Sequence, residues 1–185
     1  MENSDSEFRK PVQEWIVELA KEAGLDISGF KHKVTQEFKK HTLSHHGDEK
    51  TESSRGQIAV TETDLLNIDT ILENPTFAVA GVKRKNKYGK IENRIILVKN
   101  TENSTILFEE VLSGKKNKAL NAKTLLIKKG TITEESLLHI LESNARNDVS
   151  NFKIKYADAV AANSTIHSAQ TADGGSNLRP RSSIN

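Results

Sequence analysis

Residues 76–130 read TFAVAGVKRKNKYGKIENRIILVKNTENSTILFEEVLSGKKNKALNAKTLLIKKG. Four runs in this stretch are rich in Val, Ile, Leu, Phe and Thr: TFAVAGVKR, KIENRIILVKN, STILFEEVLSG and ALNAKTLLIKKG. Side chains of these types suit a pleated surface. The runs are separated by NKYG, NTEN and GKKNK, gaps no longer than a turn. Gaps of that size join antiparallel neighbours as hairpins, so the stretch predicts a four-stranded antiparallel meander. One face of such a sheet must be covered, and the flanking sequence supplies the helices to cover it.

Upstream, RKPVQEWIVELAKEAG places Pro11 near a first turn, Val12, Trp15, Ile16 and Leu19 on one face, and Gly24 at the exit. Ser28 is expected to cap a second helix with Phe30, Val34, Phe38 and Thr42 as its stripe, stopped by Gly47. Residues 48–56 read as a loop. A third helix starts at Thr61, with Asp64 at the capping-box position and Leu65, Ile68, Ile71 and Leu72 inward, and it ends before Pro75. Downstream of Gly130, TITEESLLHILESNA predicts a fourth helix. From Val149 onward the chain turns to Ser, Ala, Asn and Gly without periodicity.

The expected fold is therefore α+β: N-terminal helices packed on a twisted four-stranded antiparallel sheet, with a further C-terminal helix. Its expected divisions are a helical extension over 1–28, a central domain over 29–130, a helix within 131–148 and a flexible tail over 149–185.

The chain has no cysteine, which excludes disulfides and thiolate zinc sites. No apolar run approaches the length of a membrane span, so no membrane association is expected. The start MENSDSEFRK lacks the features of a signal peptide. Net charge is +2, but it is unevenly placed. Residues 1–76 carry nine Lys or Arg against fifteen Asp or Glu, whereas residues 77–130 carry thirteen against four. A basic half of that strength favours a polyanionic partner, beyond what lysines placed to guard strand edges explain.

The stretch KKHTLSHHGDEK, residues 39–50, gathers His41, His45 and His46 at a predicted helix exit. His41 and His45, at i and i+4, share a face. Imidazole is the side chain that exchanges protons near neutrality, the ability that metal-free RNA cleavage needs from its base and acid. Two other uses of the cluster remain open. The pair could bind zinc with His46 or Asp48, although no H-E-x-x-H pattern is present. A histidine at a helix end also complements the helix dipole. His32, His139 and His167 are expected at the surface.

The segments DISGFKHKVT, HTLSHHG, RGQIAVTETDLLNIDTILENP, EEVLSG and AKT, in this order from Asp26 to Lys129, resemble the phage-associated nuclease domains of the barnase–EndoU–colicin–RelE-like group. The resemblance implies helices on a twisted four-stranded antiparallel sheet. It also implies a metal-independent, cofactor-free ribonuclease of toxin type that passes through a 2′,3′-cyclic phosphate. Carried over, His41 and His46 stand at the helix-end positions, Arg55 at the loop arginine, Lys123 and Thr124 at the last-strand pair, and Glu109 and Glu110 at the EEV motif. His46 or His41 would transfer protons, Arg55 would clamp a phosphate, Lys123 would stabilise the phosphorane, and Thr124 would bond a phosphate oxygen. Glu110 is an alternative base. Lys83, Arg84, Lys85 and Arg94 would hold RNA. The pattern departs from relatives in the extra imidazole of His45 and in the absence of an aromatic after Lys123-Thr124.

Expected partners are RNA, with tRNA as one candidate, and an immunity or antitoxin protein. The expected place of action is the cytoplasm, reached in some relatives as the C-terminal part of a secreted toxin or phage protein. A non-catalytic RNA-binding or phage structural module on the same fold is the competing reading. The two diverge on whether His41 and His46 face Lys123 or Glu110 across a cleft.

Overall fold

The computed structural model of the chain describes residues 6–114 and 116–158. In chain order the elements are β1 (Ser6–Pro11), α1 (Glu14–Glu22), β2 (Lys31–Thr35), α2 (Gln36–His46), α3 (Glu49–Ser54), β3 (Gln57–Ile58), α4 (Glu62–Leu66) and α5 (Ile68–Glu73). They continue with β4 (Phe77–Lys85), β5 (Ile91–Asn100), β6 (Ser104–Leu112), β7 (Ala119–Lys129), α6 (Glu134–Ser143), β8 (Asn147–Asp148) and β9 (Lys153–Tyr156).

The meander β4–β7 forms as its hairpin gaps dictate, every neighbour antiparallel. The sheet around it is larger than four strands. Among the described residues it has nine, in the order β1-β2-β7-β6-β5-β4-β8, with β3 added to β7 and β9 to β4. It is also mixed, because β2 runs parallel to β7. The five extra strands are short and join through backbone hydrogen bonds, and β3 and β8, at two residues each, are too short to show any alternation.

The largest misreading concerns residues 28–35. Phe30, Val34 and Phe38 satisfy helical spacing, but His32 and Val34 alternate with Lys31 and Lys33, and the chain takes the period of two. Pairing with β7 decides between the periods, a long-range parallel contact that local pattern does not reveal. The N-cap of α2 is consequently Thr35, whose hydroxyl accepts from Phe38 N at 3.0 Å. The stretch expected as a helical extension contains β1 as well as α1, with β1 pairing along β2. The predicted third helix is two short ones meeting at Asn67, and Thr61 and Asp64 do form the capping box. Residues 49–54, expected as loop, form α3 because Asp48 caps Thr51 N.

The sheet is covered on both faces. α1, α2, α4 and α5 lie over the face carrying Ile95, Leu97, Phe108, Leu120 and Leu125. α6 lies over the opposite face with Phe77, Val79, Val82, Ile96 and Val98, and Leu137 and Leu141 anchor it. Burial of such side chains stabilises by about 1.5–3 kcal/mol each. The first residues of the tail expected over 149–185 are ordered. Val149, Phe152 and Ile154 pack on the α6 side, and β9 pairs with β4 from Phe77 to Ala80. Gly81 lets this strand approach: its φ is +85°, and an added Cβ would stand 2.0 Å from the Asn151 carbonyl oxygen. Residues 159–185 of the expected tail lie outside the described residues.

Candidate functional site

α2 starts at its Thr35 cap and packs against β7, with Phe38 and Thr42 on its buried side. Between them lies an open cleft of about 910 Å³, lined by Lys33, Lys40, His41, Ser44, Lys123 and the α2 N-terminal turn. Glu37 is the acidic residue of this lining. Lys123 reaches the cleft because β7 bulges opposite Glu109 and Glu110. Ala122 pairs with Glu110 and Thr124 with Glu109, and the bulge inserts Lys123 between them, exposed. Thr124 thereby leaves the cleft for the opposite sheet face, so the structure separates the Lys123–Thr124 pair.

His41 is the imidazole that lines the cleft. Burial, the neighbouring His45, Lys123 and His46 together hold its pKa below the usual histidine value, against a smaller opposite influence of Glu37. A ring so placed is neutral near pH 7 and able to accept a proton. His45 stacks on it, ring centroids 4.0 Å apart, and its Nδ1 donates to the His41 carbonyl oxygen at 3.0 Å. His45 therefore braces the last turn of α2.

His46 belongs to a second group. Its Nδ1 lies 3.1 Å from Oε2 of Glu52, and Arg55 donates from Nη1 to Oε1 of the same carboxylate at 3.0 Å. Glu52 is fully buried, His46 is 20% exposed and Arg55 is 53% exposed. With Arg55 donating to one oxygen, the carboxylate is the acceptor for His46 Nδ1–H, which leaves Nε2 for other work. An ion pair of Arg55 with Glu52 or Asp48 is within reach of the sequence, and the Glu52 pair forms; what the sequence hides is the burial of Glu52 and its bond to His46. The Asp48-to-Thr51 cap was the available clue that the loop is a helix.

Glu110 does not stand in a cleft. It is fully buried, its Oε1 2.7 Å from Nδ1 of an equally buried His32, and burial raises its pKa while the His32 charge and hydrogen bond pull the other way. A substrate hydroxyl cannot reach it, so the expectation of a Glu110 base fails. The surface placement expected for His32 fails with it. Both follow from β2 being a strand, which turns His32 inward beside Val34.

Arg94 is also occupied. It is buried, donating to Glu109 Oε1 at 2.6 Å and to Glu92 Oε2 at 2.8 Å. Desolvation alone would raise the Glu92 carboxyl, but the Asn86 hydrogen bond, Arg94 and Lys123 bring it below its ordinary value. Arg94 thus organises the sheet surface and is not available to grip RNA. Lys83 and Arg84 are half-buried on β4 and Lys85 is exposed.

A family model described as phage-Barnase-EndoU-ColicinE5/D-RelE like nuclease3 matches residues 10–135. The chain belongs to this nuclease family. Comparison with curated proteins and with solved structures returned no match. The nuclease match begins within β1, takes in α1 and the parallel β2, and ends in the first turn of α6. Both histidine groups and Lys123 fall inside the span of the nuclease family, and β8 and β9 fall outside it. Among the described residues no three His, Cys, Asp or Glu side chains converge as metal ligands, and no helix is long and apolar enough to cross a membrane.

Proposed function

We propose that this nuclease is a metal-independent RNA endonuclease of toxin type. The observation that carries this reading is His41, held toward its neutral form, in a cleft with Lys33, Lys40 and Lys123. In the proposed reaction His41 takes the proton of a ribose 2′-hydroxyl. The 2′-oxygen attacks the adjacent phosphorus, and the bond to the 5′-oxygen breaks as His46 Nε2–H gives that oxygen a proton. The products are a 2′,3′-cyclic phosphate and a free 5′-hydroxyl. Lys123 stabilises the charge that accumulates on the phosphorane oxygens. Arg55 contributes through Glu52, whose carboxylate it holds in place for His46.

The chemistry requires a 2′-hydroxyl, which supports RNA over DNA as the substrate. Within RNA the reading favours a structured cytoplasmic target such as tRNA, and a toxin of this type would be paired with an immunity or antitoxin protein. Incubating the protein with total tRNA in EDTA and mapping the new ends tests the proposal. Cyclic-phosphate ends support it; intact RNA, bound but uncut, transfers the site to the binding-module reading.

A further inference from the structure

The hairpin between β4 and β5 carries a feature that neither histidine group uses. Residues 83–91, KRKNKYGKI, hold five cations and no acid. Within this cationic segment Tyr88 is 81% exposed and Ile91 57% exposed. Single exposed apolar residues are ordinary on any surface. Two large ones on a hairpin otherwise built of lysines are a different arrangement, an apolar plane inside a positive field.

The tip is also held rigid. Asn86 Oδ1 accepts from both Tyr88 N at 2.9 Å and Lys90 N at 3.0 Å, and Asn86 Nδ2 donates to Glu92 Oε1 at 3.0 Å. Gly89, at φ +78°, closes the turn, with Asn86 N donating to the Lys90 carbonyl. One amide side chain thus fixes the Tyr88 backbone and ties it to the Glu92–Arg94–Glu109 network. A ligand meeting this tip would not have to order it first. Lys87 Nζ stands 5.0 Å from the Tyr88 ring centroid. Because β5 and β6 are antiparallel with Arg94 opposite Val111, the hairpin tip and the β6–β7 turn leave the sheet at the same end. That turn adds Lys116 and Lys118.

We infer that the β4–β5 tip is a docking arm for single-stranded nucleic acid, Tyr88 stacking on a base while Lys85, Lys87 and Lys90 hold the flanking phosphates. The nucleic-acid ligand rests on the nuclease reading; the arm itself does not depend on the histidine chemistry. An aromatic platform bordered by cations binds single strands with little sequence preference, since every base offers a π-face.

The test uses the full chain carrying His41→Ala and His46→Ala, so that no cleavage complicates binding. Fluorescence anisotropy is read with a labelled single-stranded RNA oligonucleotide and its DNA counterpart at several salt concentrations. Adding Tyr88→Ala should weaken binding of both by about 5- to 100-fold. Tyr88→Phe and Tyr88→Trp should restore it, and the salt slope should stay unchanged. Lys87→Ala should instead lower that slope by about one. Unchanged affinity of Tyr88→Ala overturns the arm, as does equal weakening by Ala, Phe and Trp, or no binding of either strand by the parent. A wild type that binds but never cleaves removes the proton-transfer proposal, whereas the Tyr88 series decides the arm on its own.

Discussion

His46 Nδ1 stands 3.1 Å from Oε2 of Glu52, a carboxylate with no exposure to solvent. A buried acid that fixes one nitrogen of a mostly buried imidazole sets both the ring's orientation and which nitrogen faces outward. Arg55 on the second oxygen keeps that acid in place.

Glu52→Gln is therefore expected to lower kcat about tenfold or more while leaving KM near its wild-type value. The upper bound is the 10²–10⁴-fold worth of the positioned acid itself. Glu52→Ala should in addition cost about 1–3 kcal/mol of stability, since it leaves two donors without their acceptor. Steady-state kinetics with urea denaturation separates these effects. An unchanged kcat in a folded Glu52→Gln protein would remove His46 from the mechanism.

His45 is expected to act through His41. Burial and the like charge of His45 both hold the His41 pKa down, so His45→Ala should raise it. As a base His41 must be neutral, and the rate falls as pH drops through its pKa. The acid limb of the kcat/KM profile should accordingly move to higher pH in His45→Ala, leaving that variant slower than wild type on the acidic side. A limb that stays in place would show that another group is the base.

The buried His32–Glu110 pair governs stability. Burial raises the folded-state pKa of Glu110 above the ordinary carboxylate range, so its contribution is complete below that range and is lost as pH rises through the folded pKa. Glu110→Gln, which cannot ionise, should escape this loss. The melting temperature of Glu110→Gln relative to wild type is expected to climb as pH increases from about 4. A difference independent of pH would mean that the carboxyl does not titrate in this range. Glu110→Ala strips His32 of its hydrogen-bond partner and should cost about 1–3 kcal/mol.

The meander was legible because its signals are local: apolar runs of strand length and turns too short for anything but hairpins. The Thr61–Asp64 box was legible for the same reason. β2 was not, since Phe30, Val34 and Phe38 fit a helix as well as His32 and Val34 fit a strand, and only its parallel partner decides. That one misreading carried His32 to the surface and left Glu110 free in the expected site. The histidine cluster was found by residue type, and His41 with Lys123 does share a cleft. The Arg55–Glu52 pair is close enough in sequence to be foreseen, but the burial of Glu52 and its bond to His46 leave no trace in composition. Arg94 is not free for RNA because Glu92 on its own strand and Glu109 on β6 both hold it, and the second of these pairs needs the register.

In the proposed mechanism two imidazoles move the protons in cleavage next to a ribose 2′-hydroxyl. End-group analysis of RNA treated in EDTA with wild-type protein and with the His41→Ala, His46→Ala double variant tests it most directly. The expected result is 2′,3′-cyclic phosphate and 5′-hydroxyl ends from the wild type, with cleavage falling by at least about 10²-fold in the double variant while RNA binding persists. Equal cleavage by the two proteins, or 5′-phosphate ends that form only with added magnesium, would contradict it.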